Sequence, residues 1–520
     1  MHNGSIHWRN LLLPLFLLAA MVVATAKKPA DSSVSPTAGS IATFKSTSRL
    51  VQLDIVVTDL SGQFASRLTK DDFNVFEDGK PQRIISFEGP DEHPRNPYSN
   101  DQAPVTILIL DELNTAFPDM ATARNQLVRY LRTQPEHLGQ PTTLIVIDDF
   151  EFKVLQSYTR DRDALLLALK NHLPRYPAQL KNGIVTDRLA SSLVALQQIA
   201  ASTMGIPARK NVIWLGAGYP AMNLVGLQQD LKTSIEDQIS RTINKLLEAR
   251  ITVYSVDPTM MDSLVKSSAI ETEDENLAVY PNQTLNHELI PNPFDADVSL
   301  AALGPATGGR SYYWRNDLDK IIQSSVDDGA KYYTVAYVPS NRTDIPKYRA
   351  IRVKLRRGLI ARTRDGYYSI DVPPTSDMVS VDVSQAAKNT MSYTGLPVTL
   401  TGRAAQGNAY CTLYIDAHAL SWQPMPNGDS RATVRIGIAR LSGKNKLLAY
   451  DVKEMASITP ARYFRALMDT PVALRVQARL PHGVQRLRFV VRDESTGHMG
   501  AVDVDTQNIP ADAPIPRTSN

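Results

Sequence analysis

The central part of the chain alternates continuous apolar segments with segments of helical spacing. VTILILD, TTLIVIDDF, NVIWLG and ITVYSVD have the unbroken apolar character of strands that are buried on both faces. Between them, apolar residues recur at helical intervals, as at Ala123, Leu127 and Leu131. This alternation predicts an α/β domain over residues 104–372, built on a doubly wound, mostly parallel, Rossmann-like sheet. A polar stretch at about residues 259–297 is interpreted as an insertion.

Two β-rich regions flank this predicted domain. Residues 48–89 alternate apolar and polar positions, and Asp78-Gly79 is a hairpin signal between two such segments, which predicts a small β module. Residues 378–510 contain six alternating segments separated by turn residues. Strands at this spacing predict a β-sandwich.

The first 26 residues have the features of a secretory signal peptide. Arg9 precedes a short apolar run, and Ala24-Thr25-Ala26 forms a cleavage site of small residues. The run is shorter than the roughly 20 residues that a membrane-spanning helix needs, so cleavage is favoured over an uncleaved anchor. We therefore expect a linker over residues 27–47, no integral membrane span after cleavage, and export to a periplasm or the cell exterior.

Composition narrows the function classes. The 520 residues carry 56 Lys and Arg against 53 Asp and Glu, so the balance does not indicate nucleic acid as a partner. Cys411 is the only cysteine, which excludes an intrachain disulfide and a cysteine-based zinc site. The sequence contains neither an HExxH motif nor a GxSxG motif, so it has no metalloprotease or nucleophile-elbow signature.

The segment TILILDELNTAF allows two interpretations of Asp111 and Glu112. An apolar strand that ends in acidic residues holds Mg²⁺ in nucleotide hydrolases, but it also begins the metal-binding loop of adhesion-type α/β domains. The first interpretation needs an upstream phosphate loop of the form GxxxxGK[ST], and none is present. The second interpretation is therefore favoured.

Four blocks in a fixed order carry a resemblance to a known family: ILILDELNT, ARKNVIWLGAGYP, ITVYSVDP, and ALGPATGGRSYY followed by YYTVAYVP. Together with VVTDLSGQFASRLTKDDFNVFEDGKPQRIISFE, they make residues 50–368 resemble a von Willebrand factor type A (VWA) domain, in the form found in secreted proteins of acidobacteria. The resemblance implies a Mg²⁺ site at the carboxyl edge of the sheet. Its family pattern is Asp-x-Ser-x-Ser, a Thr from a second loop and a later Asp.

The resemblance implies Asp111, Thr115 and Thr186 as metal ligands in this chain, whereas Leu113 and Ala217 stand where the family has a serine and an aspartate. Because leucine and alanine offer no ligand oxygen, we expect a degenerate site with weak affinity for Mg²⁺ or Mn²⁺. No other cofactor is indicated. In the alternative interpretation, Asp111 and Asn114 only cap the loop and the following helix by hydrogen bonding.

The function expected from these features is that of an exported, non-enzymatic, adhesion-type protein that recognises a protein partner. Recognition would use the loops at the carboxyl edge of the sheet, where open α/β sheets hold their ligands. The predicted contact residues are Asp111, Asn114, Thr115, Thr186, Gly216 and Gly218. Two alternatives stay open: a structural or accessory component of an envelope complex, and an enzyme with its activity in the C-terminal domain.

Overall fold

The computed structural model describes residues 50–93, 104–148, 152–174, 185–219, 221–259, 292–295, 297–313, 315, 317–340, 346–356 and 358–510. The predicted signal peptide, the linker and most of the predicted insertion lie outside the described residues. Within the described ranges, no helix has both the length and the apolar character needed to cross a membrane.

The described residues form 24 β-strands and eight α-helices. The strands are β1 (Val51–Asp59), β2 (Asn74–Glu77), β3 (Lys80–Gln82), β4 (Ile84–Glu88), β5 (Val105–Asp111), β6 (His137–Ile147), β7 (Phe152–Asp161), β8 (Lys210–Leu215), β9 (Met222–Asn223), β10 (Ile251–Val256), β11 (Asp297–Val298), β12 (Arg310–Tyr312), β13 (Tyr333–Tyr337), β14 (Tyr348–Lys354), β15 (Leu359–Arg362), β16 (Gly366–Tyr368), β17 (Val398–Ala405), β18 (Asn408–Ile415), β19 (Gln423–Pro424), β20 (Ser430–Leu441), β21 (Leu447–Thr459), β22 (Val472–Arg479), β23 (Arg486–Asp493) and β24 (Met499–Asp505). The helices are α1 (Phe117–Thr133), α2 (Arg162–Asn171), α3 (Val185–Thr203), α4 (Gln229–Glu248), α5 (Leu300–Ala306), α6 (Leu318–Asp328), α7 (Ser376–Lys388) and α8 (Ala461–Met468).

A six-stranded mixed sheet with the order β12-β10-β8-β5-β6-β7 forms the centre of the α/β region. Five of its strands are parallel, and β7 pairs antiparallel with β6 at one edge. β5, β8 and β10 are buried along their whole length, as parallel strands covered on both faces are. The prediction of an α/β fold with a mostly parallel sheet is confirmed at this level.

Alternate residues of these strands enter two separate hydrophobic cores. Ile107 and Ile109 pack in one core with apolar residues of α3, α4 and α5. Leu108 and Leu110 pack in the other with residues of α1, α2 and α6. Because successive side chains of a strand point to opposite faces, the six helices cover the sheet in two groups of three, one group on each face.

The strands of residues 50–88 pair with strands that follow the α/β region in sequence. β1 lies between β13 and β15, and β2 lies between β3 and β14, which gives two four-stranded sheets. The predicted hairpin is present, since Asp78-Gly79 joins the paired strands β2 and β3. The apolar residues of both segments share one core, so this part of the fold depends on contacts between distant parts of the chain.

The C-terminal region contains all six predicted strand segments, as β17, β18 and β20 to β23. They form an antiparallel three-stranded sheet, β17-β18-β22, and a five-stranded sheet in which β21 pairs with β20 beside β23 and β24. Residues of both sheets share one hydrophobic core that includes the buried Cys411. Helices α7 and α8 were not predicted; α7 begins after Thr375, whose side chain accepts a hydrogen bond from the Met378 backbone N–H.

Candidate functional site

Two neighbouring strands bring most of the predicted site residues together at the carboxyl edge of the six-stranded sheet. β5 ends at Asp111 and β8 ends at Leu215, and the two strands are parallel neighbours. The turn after β5 carries Asn114 and Thr115, and the loop after β8 begins at Gly216. The sheet topology therefore places these two loops side by side.

The Asp111 carboxylate is fully buried and accepts hydrogen bonds on both oxygens. Its Oδ1 accepts from the Asn114 backbone N–H at 3.0 Å and from Asn114 Nδ2 at 3.0 Å. Its Oδ2 accepts from the indole N–H of Trp214 at 2.9 Å and from Asn114 Nδ2 at 3.1 Å. The side chains of Asn114 and Trp214, with the Asn114 backbone N–H, thus supply the hydrogen-bond donors that a buried carboxylate requires.

Asn114 extends this network to helix α3. Its Nδ2 donates to Ser192 Oγ at 3.0 Å, while Arg188 donates from Nε to Asn114 Oδ1 at 3.1 Å and from Nη2 to the Asn114 carbonyl at 3.2 Å. Arg188 and Ser192 are one helical turn apart, so they share a face of α3. We call Asp111, Asn114, Arg188, Ser192 and Trp214 the Asp111 hub.

The loop after β8 packs directly against the hub. Thr115 Oγ1 accepts a hydrogen bond from the Ala217 backbone N–H at 3.0 Å. A Cβ atom at Gly216 would lie 2.5 Å from both Asp111 Cβ and Thr115 Oγ1, so only glycine permits this approach. Gly218 adopts a left-handed conformation with φ 69°. Gly216 is therefore required by the close packing of the two loops, whereas Gly218 is required by its backbone conformation and by its contact with Leu300 of α5.

The electrostatics of the hub depend on neutral donors. Burial raises the pKa of Asp111, and the hydrogen bonds from Trp214 and Asn114, together with the charge of Arg188, offset this effect only in part. Arg188 donates to Asn114, which in turn donates to Asp111. Arg188 therefore acts on the carboxylate from a distance, with the Asn114 amide lying between the two charged groups.

The residues around Asp111 do not fit an octahedral Mg²⁺ site. Leu113 is 1% exposed and packs in a hydrophobic core, so its position does not face the carboxylate as a ligand would. Thr186 lies in the first turn of α3, and among the described residues no hydrogen bond joins it to Asp111 or Thr115. Of the three implied ligands, Asp111 and Thr115 both lie against the Gly216 backbone. The described part of the chain also contains no group of three His, Cys, Asp or Glu side chains arranged to hold a metal ion.

The capping alternative agrees with the structure in one of its two parts. Asp111 does accept the backbone N–H of Asn114 and so holds the turn after β5. Helix α1, however, has Ala116 at its N-cap and no side-chain cap hydrogen bond. Asn114 instead connects the turn to α3.

Three hub residues lay beyond the sequence predictions. Trp214 lies within a continuous apolar segment, and pattern alone does not reveal where its indole N–H finds an acceptor. Arg188 and Ser192 carry a weak signal, since they place polar groups one turn apart on a helix that is otherwise rich in apolar residues. The contact of that helical face with Asn114 depends on the tertiary packing.

A second buried pair lies beside the hub. Glu112 Oε1 is 2.7 Å from His172 Nε2, and both side chains are almost fully buried. Glu112 follows Asp111 in the chain, whereas His172 is the C-cap of α2. This contact therefore ties the end of α2 to the turn after β5.

Exposed apolar side chains stand on the segments that the hub and this pair hold. Phe117, at the start of α1, is 45% exposed, and Val185, three residues before Arg188, is 41% exposed. Leu173, directly after His172, is 81% exposed. We call Phe117, Leu173 and Val185 the apolar rim.

Five of the six predicted contact residues lie inside the protein. Thr186 is partly exposed, and the buried residues are Asp111, Asn114, Thr115, Gly216 and Gly218. In this conformation Thr186 and the three rim residues are at least partly accessible to a partner, whereas the five buried residues are not.

No known protein family matches the chain, and no curated protein matches it. Among solved structures, proximal thread matrix protein 1 from the mussel byssus is 11% identical over 30% of this chain and 37% of that one, with a TM-score of 0.21. The VWA domain of SpRpn10 is 14% identical over 32% of this chain and 96% of that one, with a TM-score of 0.17. An endonuclease/exonuclease/phosphatase from Beutenbergia cavernae is 12% identical over 35% of this chain and 38% of that one, with a TM-score of 0.11. At these TM-scores the three structures carry no information about the fold or the function of this chain.

Proposed function

We propose that the protein is an exported, non-catalytic binding protein that recognises a protein partner at the carboxyl edge of its six-stranded sheet. The Asp111 hub is the observation that carries this proposal. It joins the turn after β5, the first turns of α3 and the end of β8 through hydrogen bonds between largely buried groups. The loops at this edge are therefore held in one arrangement from beneath.

Rigid loops are suited to recognition for an energetic reason. Groups that are ordered before binding lose less conformational entropy when a partner docks. Large exposed apolar side chains can then supply the buried surface that anchors a protein partner. Phe117 is the aromatic anchor in this proposal, and Leu173 and Val185 add aliphatic surface.

The predicted contact residues take two different parts in this proposal. Buried Asp111, Asn114 and Thr115 position the loops, because their hydrogen bonds join one loop to another. Thr186 stands next to Val185 on the first turn of α3 and is partly exposed. We assign direct contact with the partner to Thr186 and the apolar rim.

We also propose the finer architecture that accompanies this function. A VWA-type arrangement for residues 104–372 is supported by the order of the four sequence blocks and by the two helix groups on the mostly parallel sheet. A β-sandwich for residues 378–510 is supported by the core that the two antiparallel sheets share.

Site-specific crosslinking tests the function. A photoreactive amino acid at position 117 should crosslink a discrete protein species from the exported fraction of the organism that makes this protein. Phe117→Ser combined with Val185→Ser should then lower the capture of that same species. The matched control is Leu60, which is 79% exposed and follows β1, a strand of a different sheet.

A photoreactive residue at position 60 should not crosslink the same species, and Leu60→Ser should leave its capture unchanged. Equal crosslinking from positions 60 and 117, or crosslinking from neither, contradicts the proposal. Circular dichroism of each variant ensures that lost capture is not a consequence of lost fold.

A further inference from the structure

The Asp111 carboxylate lies where the family resemblance requires a metal ligand, yet N–H groups of this chain surround it. Asn114 Nδ2 lies 3.0 Å from one carboxylate oxygen and 3.1 Å from the other, and Trp214 Nε1 lies 2.9 Å from the second oxygen. A divalent cation needs oxygen lone pairs directed at it, at about 2.0–2.1 Å for Mg²⁺. The hydrogens of these donors point at the same lone pairs and carry partial positive charge, so they exclude a cation electrostatically.

Packing excludes a cation from a second direction. Thr115 Oγ1, the other implied ligand near Asp111, already accepts the Ala217 N–H at 3.0 Å. The Gly216 backbone leaves no room for even a methyl group beside the two side chains, since a Cβ there would lie 2.5 Å from each. A hydrated Mg²⁺ is larger than a methyl group, so this packing would have to open to admit it.

The donors and Arg188 also offset part of the electrostatic cost of burying the carboxylate. Asn114 stands between Asp111 and Arg188, accepting from the guanidinium at 3.1 Å and donating to the carboxylate at 3.0 Å. A fixed positive charge from helix α3 therefore acts on the carboxylate through a neutral amide.

We propose that Trp214 and Asn114 permanently occupy the Asp111 carboxylate in place of a divalent cation, so that recognition at this edge is independent of Mg²⁺ and Mn²⁺. The exclusion of metal rests on the hub geometry alone. Its consequence for recognition rests on the proposed function.

Mn²⁺ binding to the full mature chain, followed by electron paramagnetic resonance of free Mn²⁺, tests the exclusion directly. Wild type should bind Mn²⁺ no more tightly than Asp111→Asn. Asn114→Asp is nearly isosteric and replaces the donor amide with a carboxylate oxygen facing Asp111 and Ser192. It should bind Mn²⁺ at least about tenfold more tightly than wild type, a change of the size that residues around a metal site commonly produce.

Trp214→Phe is the second variant, because it removes a donor without adding a charge to the hub. It should also bind Mn²⁺ more tightly than wild type. The matched control is Asn389→Asp, an equivalent change at another buried asparagine, which donates to Tyr393 at 2.7 Å. This control should bind Mn²⁺ as wild type does, and thermal melts should establish that every variant is folded.

Two results overturn the exclusion. One is Mn²⁺ binding by wild type that Asp111→Asn abolishes. The other is that folded Asn114→Asp and folded Trp214→Phe both bind Mn²⁺ no better than wild type, since their donors would then not be what keeps the cation out.

The consequence for recognition has its own test, in which the species crosslinked from position 117 is captured in EDTA and in Mg²⁺. Equal capture in the two conditions is expected. Capture that requires Mg²⁺ overturns the inference while the proposed function stands. If no species is captured in either condition, the proposed function fails, and the Mn²⁺ measurements alone decide the inference.

Discussion

A buried carboxylate lies near each edge of the six-stranded sheet, and the two carboxylates have different kinds of hydrogen-bond partner. At the carboxyl edge, Asp111 is held by the amide of Asn114 and the indole of Trp214, both neutral groups. At the amino edge, Asp54 of β1 is held by Arg250, which precedes β10. Arg250 Nη2 lies 2.6 Å from Asp54 Oδ1, and its Nε lies 3.3 Å from Oδ2.

The pKa values of the two carboxylates are shifted in opposite directions for this reason. Burial alone raises the pKa of each group. For Asp54, the charge of Arg250 and its hydrogen bond, with help from Arg209, outweigh burial and hold the pKa below its ordinary value of 3.8. For Asp111, burial outweighs the neutral donors and the pKa is raised above 3.8. The partner of a buried carboxylate, and not its depth, therefore decides the direction of the pKa shift.

The two edges also join different parts of the fold. The Arg250–Asp54 ion pair connects the six-stranded sheet to β1, and Thr334 of β13 adds a hydrogen bond to Asp54 at 2.9 Å. The Asp111 hub connects loops with a helix. We infer that the Arg250–Asp54 ion pair holds the six-stranded sheet against the sheet that contains β1. The Asp111 hub instead fixes the arrangement of the loops at the carboxyl edge.

The largest effect on stability is expected when the Arg250–Asp54 ion pair is removed. Arg250→Met should lower the free energy of unfolding by about 3–5 kcal/mol, because it leaves the Asp54 charge buried without its partner. Urea denaturation of the variant and wild type measures the loss. The double variant Asp54→Asn with Arg250→Met should recover a substantial part of it. A loss below about 1 kcal/mol in the single variant, the range of an exposed ion pair, would contradict this role.

A smaller effect is expected at the Asp111 hub. Trp214→Phe should cost about 1–3 kcal/mol, since it removes one hydrogen bond from a buried carboxylate. Trp422→Phe is the matched control, because that indole donates to the Ala417 carbonyl at 2.9 Å in a partly buried setting. We expect about 1 kcal/mol for the control, the typical net value of a neutral hydrogen bond. Equal losses would mean that the Asp111 carboxylate does not depend on its indole donor.

The sequence could predict elements whose signal is local. The continuous apolar strands and the hairpin at Asp78-Gly79 both follow from neighbouring residues. The pairing of β1 with β13 joins Leu53 to Val335, and no local pattern records a contact across so many residues. Helix α7 was not predicted, although Thr375, which can cap a helix, stands directly before it.

In the candidate site, too, local features could be predicted and contacts between distant residues could not. Asp111, Thr115 and Gly216 could be predicted because strand ends meet at one edge in a parallel sheet. The hydrogen-bond partners of Asp111 could not, since Trp214 comes from a neighbouring strand whose side-chain directions depend on register. The burial of Leu113 likewise depends on the path of the turn, which the spacing Asp-x-Leu does not determine.

The two carboxylates should change the free energy of unfolding in opposite directions as the pH rises. Asp54 has a lowered pKa, so the stability that it contributes is present above pH 3.8 and is lost as pH falls below that value. Asp111 has a raised pKa, so the folded state loses stability as pH rises from 3.8 through the raised value. Urea denaturation between pH 3 and pH 7 measures both slopes.

Asp54→Asn should reduce the loss of stability on the acid side, whereas Asp111→Asn should remove a loss that occurs on raising the pH. Each variant removes the titration of one carboxyl group only. We therefore expect the pH-dependent part of the free energy of unfolding to change by less than the loss that Arg250→Met causes. Slopes that change in the same direction for the two variants would show that both carboxylates are held in the same way.

The smallest expected effect concerns the two threonines implied as metal ligands. Thr186→Ala should change the free energy of unfolding by no more than about 0.5 kcal/mol, as partly exposed substitutions that remove no cap usually do. Thr115→Val should cost about 1 kcal/mol, because it leaves the Ala217 N–H without its acceptor beside the hub. If Thr186 contacts the partner, its variant should still weaken capture of the species crosslinked from position 117. A Thr186→Ala protein that unfolds as easily as Thr115→Val and captures the partner unchanged would make Thr186 part of the structural support, and direct contact would then rest on the apolar rim alone.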